Sequence, residues 1–165
     1  MASIFEPAML PLETARWRLG TVWFAGAGLI ISMLVIQSVA GVYEDRVQAV
    51  WSWVLPNLVP TLSLMVGVFA GAALQEEAES DRMRVRRAFY RLAIGLSVFH
   101  LTCVLVTLLV QPFIPALQGF EGQIDPRRSF EVSNLWLGPL QGLVAAVLGT
   151  LFFSKSGKKT RSRSR

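Results

Sequence analysis

Ser97, His100, Cys103, Thr107 and Gln111 recur at i, +3, +6, +10 and +14 in a run otherwise rich in Leu and Val. At about 100° per residue these positions share an arc of about 120° on a helix. Such a stripe has two chemical meanings. Its groups can hydrogen-bond neighbouring helices, at about 0.6–2 kcal/mol per contact in hydrocarbon. Alternatively they line a pore or a ligand site, because polar groups within a membrane span face the bundle interior or water. His100 is the one histidine of the chain. It is also the one group of the stripe that titrates near neutral pH, which makes it the sharpest single candidate.

Catalytic chemistry is not expected. The chain has one histidine and one cysteine, His100 and Cys103, three residues apart and without a second ligand pair, so no metal site is expected. No phosphate-binding glycine loop, dinucleotide fingerprint or His-Glu-x-x-His is present, so neither enzyme activity nor a cofactor is expected. A single cysteine excludes an internal disulfide. Every acid lies outside the apolar runs, whereas proton- or sodium-coupled transporters place one inside the membrane.

The elements that carry these residues follow from where charge is missing. Residues 19–43, 47–75, 92–120 and 132–154 contain no Asp, Glu, Lys or Arg. Each is long enough for the roughly 20 apolar residues that cross a bilayer. The expected fold is all-α: an integral membrane four-helix bundle over residues 1–154, with spans near 17–40, 55–74, 89–111 and 134–153. A β-barrel would alternate apolar and polar residues, and these runs are continuously apolar. The first run exceeds the 7–15 residues of a signal-peptide core, so a retained span is expected. The tail 155–165, "KSGKKTRSRSR" with its preceding serine excluded, is basic and expected to be disordered.

Charge also sets the expected orientation. An even number of spans puts both termini on one side. Thirteen of the sixteen Lys and Arg fall there: Arg16, Arg18, the loop residues Arg82 to Arg91, and the tail. Positive residues favour the cytoplasm, so the protein is expected to be multi-pass with both termini cytoplasmic; a bacterial inner membrane is what the resemblance given below implies. Arg84, Arg87 and Arg91 share a helical face at i, i+3, i+7. They are candidates either for a headgroup anchor or for an anion site that takes a nucleotide, a nucleic acid or a lipid phosphate.

Two runs carry rows of small residues: Ser63, Gly67 and Gly71 in the second, and Gly138, Gly142 and Ala146 in the fourth. Small residues at four-residue spacing let helices approach closely in lipid. A helix partner is expected on each face, within the chain or on another copy. Asn57, Pro60, Asn134 and Gln141 stand near the expected outer starts of the second and fourth spans, as candidates for an outer mouth. "PNLVP" is read there as a helix start, since prolines in a first turn sacrifice no helical bond.

In span count, size and basic cytoplasmic face the chain resembles the small multi-span membrane effectors of bacterial antiphage defence. That resemblance implies a homo-oligomer that permeabilises the inner membrane, gated from the cytoplasmic side by an anionic signal such as a nucleotide. It includes no motif, so it assigns no residues. The alternative is a non-catalytic accessory subunit that joins a larger membrane complex through its small-residue faces.

Overall fold

The computed structural model describes residues 9–73, 84–110, 113 and 126–153. A short strand, β1 (Met9–Pro11), leads into α1 (Leu12–Val39). A 3-10 turn at Glu44–Arg46 leads into α2 (Val47–Ala73). A second strand, β2 (Arg84–Arg86), opens α3 (Arg87–Val110), and α4 covers Pro126–Phe153. All four helices are long and apolar enough to cross a membrane. Their outward faces are apolar too: Leu29, Ile36, Phe99 and Leu135 are exposed. A helix that is apolar all round belongs in a core or in lipid, not against water.

The helices form a ring in the order α1, α3, α4, α2. Sequence neighbours α2 and α3 therefore lie on a diagonal. Three contacts gather the starts of α1 and α3 with the finishes of α2 and α4 at one end. β1 pairs antiparallel with β2, Leu10 opposite Val85. The Trp17 ring stacks on Phe69 at 5.2 Å. Arg16 reaches the last turn of α4, with Nε and Nη2 donating to Leu151 O at 3.1 and 3.0 Å and Nη2 to Phe152 O at 2.9 Å. Those carbonyls have no helical donor and carry the negative end of the helix dipole, which a guanidinium satisfies. Arg16 is thus a cap as well as part of the positive-charge bias.

At the opposite end α1 stops in a Schellman turn. Gly41 takes φ +73°, Gly41 N–H donates to Ser38 O at 3.2 Å and Val42 N–H to Gln37 O at 3.0 Å. Buried Tyr43 donates its hydroxyl to Gln37 Oε1, and Trp51 Nε1 donates to Ser38 Oγ at 3.2 Å. These side chains lock the α1–α2 hairpin at the level where amphipathic rings prefer to sit.

Three expectations need correction. α2 begins eight residues before the expected start at 55, so Pro56 and Pro60 lie inside the helix and not in its first turn. Arg84 lies on a strand, and α3 begins at Arg87, so Arg84, Arg87 and Arg91 do not share one helical face. α4 begins at Pro126, before the expected 134, and carries Pro139 within it. Gln111 and the basic tail 155–165 lie outside the described residues.

Candidate functional site

The polar residues meet at the middle of the spans. Pro60 has no N–H, so the carbonyl of Pro56, four residues earlier, loses its helical donor. Gln141 on α4 supplies one: its Nε2 donates to Pro56 O at 2.9 Å. The next carbonyl along, Asn57 O, lies 3.3 Å from His100 Nε2 on α3, across the bundle diagonal. A carbonyl only accepts, so Nε2 carries the proton and Nδ1 is left as an acceptor. The Asn57 side chain turns back, Nδ2 donating to Trp53 O at 2.7 Å. Two neighbouring carbonyls of the proline-bearing turn are thereby held by side chains from two other helices. This is how helix-breaking residues are tolerated in hydrocarbon: neighbouring helices supply the missing partners.

On the other side of His100 stands Trp23 of α1, with ring centroids 5.7 Å apart. Trp23, Ser97 and His100 are all fully buried. Trp23 Nε1, Ser97 Oγ and His100 Nδ1 have no hydrogen-bond partner among the described residues. That set is one obligate donor, one hydroxyl that does both, and one acceptor. Uncompensated polar atoms in an apolar interior cost several kcal/mol each. They lie in a bundle whose apolar core includes Ala27, Leu58, Leu101 and Val104.

The stripe on α3 therefore splits. Ser97 and His100 face the interior of one chain. Cys103 and Thr107 are half-buried, and Thr107 Oγ1 donates to Cys103 O of its own helix at 2.8 Å. The outer-mouth set also divides. Asn57, Pro60 and Gln141 lie near the centres of their spans, while Asn134 is exposed near the beginning of its span. A position ten residues into α2 is about 15 Å from its start.

The small-residue rows point away from the bundle. Ser63, Gly67, Gly138, Gly142 and Ala146 are exposed and Gly71 is half-buried. A Cβ built on Gly67, Gly71, Gly138 or Gly142 meets nothing within 4 Å. An intramolecular partner for these glycines is thus excluded among the described residues. Close approach occurs instead on α1, where a Cβ on Gly20 would come within 2.7 Å of the Phe69 ring and one on Gly26 within 2.7 Å of Leu101. Sequence reasoning missed both, since a lone glycine on each face sets up no repeating pattern.

At the ribbon end Arg84, Arg86, Arg87 and Arg91 are exposed. Alternation along β2 puts Arg84 and Arg86 on one face and turns Val85 towards the core. No group of three metal-ligating side chains occurs among the described residues. No known family matches the chain, and neither a curated protein nor a solved structure is similar to it.

Proposed function

We propose that this chain is a multi-pass membrane protein that assembles with copies of itself and opens a path through the bilayer. In this reading both termini are cytoplasmic and the basic ribbon end receives an anionic signal. The observation that carries it is the outward placement of two small-residue rows on α2 and α4, neighbours in the ring, with nothing among the described residues against their glycines. Small-xxx-small faces are association faces in lipid. Two proline-bearing helices and a central histidine support a bundle with more than one arrangement, which is what gating requires. The resemblance to antiphage membrane effectors fits this reading, and exposed Arg84, Arg86, Arg87 and Arg91 suit a nucleotide, nucleic-acid or lipid phosphate.

His100 then acts as a switch inside each copy and not as a wall of a shared pore. The same burial favours a second reading, a non-conducting accessory subunit, because it keeps Ser97 and His100 of α3 inside one chain. Mass measurement of the detergent complex followed by ion flux from liposomes separates the two. An oligomer that conducts supports the first. A monomer, or an oligomer silent with every anionic signal tried, refutes it.

A further inference from the structure

An apolar groove of about 580 Å³ runs along the outside of the bundle between α1 and α2. Its walls include Trp17, Thr21, Phe24 and Ala25 from α1 and Phe69 and Ala70 from α2. The lining has one hydroxyl, and Thr21 Oγ1 is already spent on Trp17 O at 3.0 Å. Phe69 forms the floor. It stacks on Trp17 at 5.2 Å, tilts towards Phe24 at 6.5 Å and meets Phe152 edge-on at 5.9 Å. Its position depends on Gly20, whose missing Cβ leaves room for the ring. The groove is therefore an apolar surface with packed aromatic rings in its lining.

One end of it is charged. Arg18 is exposed and precedes Thr21 and Ala25 by three and seven residues, so it lies on the same side of α1. It has no hydrogen-bond or ion-pair partner among the described residues. Arg16, two residues away, is by contrast held by the α4 carbonyls. The groove starts at Trp17, a residue type that marks the headgroup level, and continues towards mid-span. A cation at the interface above an apolar channel that descends into hydrocarbon matches an amphiphile with an anionic head.

We propose that this groove binds an anionic phospholipid, with its phosphate on Arg18 and one acyl chain over Trp17, Phe24 and Phe69. The inference rests on the chain lying in a bilayer and goes beyond channel activity. Lipid retention is read without flux, so the two ideas fail separately.

The test is native mass spectrometry of the full chain after extraction from vesicles containing equal phosphatidylglycerol and phosphatidylcholine. The expected result is retention of one phosphatidylglycerol with about fivefold preference, the value of one arginine near an anionic surface. Arg18→Gln abolishes the preference. Ala70→Trp fills the groove and abolishes retention of both lipids. Val98→Trp places the same side chain at an exposed position on α3 and leaves retention as in the parent. Equal retention of the two lipids by the parent overturns the proposal. So does undiminished retention in Ala70→Trp, or cross-linking between copies from a cysteine at position 25, on the α1 wall of the groove, in a Cys103→Ser background, which would assign the groove to a second chain.

Discussion

Gln141 Nε2 donates to Pro56 O at 2.9 Å, and Pro56 O is the carbonyl that Pro60 deprives of its helical donor. The pair is conditional: the amide is needed because the proline is there. Gln141→Leu should destabilise the bundle by about 1–3 kcal/mol through an unmet carbonyl. In a Pro60→Ala background the restored N–H should reduce that loss to about 0.6 kcal/mol or less. Thermal unfolding of the four variants in detergent gives the coupling directly, and additive effects would show that the two residues act independently.

Arg16 should not tolerate lysine. Its guanidinium serves two carbonyls at the finish of α4 and lies 5.9 Å from the Phe152 ring. An ammonium cannot reproduce that fork. Arg16→Lys and Arg16→Met should both lower stability by about 1.5–3 kcal/mol, the range for bonds to a charged group. Arg18→Lys, at an exposed position, is the control and should be near neutral.

The glycines should sort into two classes. Gly142→Leu should leave the monomer fold intact and abolish the oligomer, since none of the described residues lies within 4 Å of a Cβ at that position. Gly26→Leu collides with Leu101 and should cost about 1–3 kcal/mol as overpacking does, with the monomer itself destabilised. Circular dichroism with size-exclusion chromatography distinguishes the classes. An intact oligomer in Gly142→Leu would remove the main support for self-association.

His100 and Thr107 should part company. Thr107 spends its hydroxyl on Cys103 O, so Thr107→Val should leave flux and stability nearly unchanged. His100→Ala removes the diagonal link to Asn57 and should abolish any pH response of flux. A preserved pH response in His100→Ala would place the sensor elsewhere.

Tyr43 supplies a pH signature of the hairpin. Burial pushes its phenol up to about 12 from the ordinary 10. The folded state then holds the proton more tightly than the unfolded one. The resulting stability is fully present below about pH 10 and is lost as pH rises through about 12. The chain has two tyrosines, so Tyr90→Phe isolates the signal. Its phenolate absorbance should rise with a midpoint near 12 in the folded protein, falling towards 10 on unfolding.

The four helices were legible because charge is excluded from each span, a signal that needs no knowledge of neighbours. The place where α2 starts was not. "PNLVP" reads as a boundary locally, and its tolerance inside a helix depends on Gln141, 85 residues on. The strand at Arg84 was hidden for the same reason: its partner is Pro11, far upstream. His100 could be picked out as a mid-span polar group. That it faces Trp23 and Asn57 inside one chain depends on the ring order of the helices. The small-residue rows were legible as surfaces, and the structure restricts where their partners are to be found.

The ring order has a consequence for biogenesis. α1 and α2 emerge first and form a hairpin held at its tip by Tyr43 and Trp51. That hairpin enters lipid with Pro56 O and Asn57 O still lacking the side chains that later hold them. His100 arrives with the third helix and Gln141 with the fourth. The clasp between residues 9–11 and 84–86 likewise closes only once the stretch just ahead of the third helix has been made. The two hairpins are thus two halves of one lock. Synthesised as separate chains, each would carry unmet polar groups in hydrocarbon, a standing attraction for the other half.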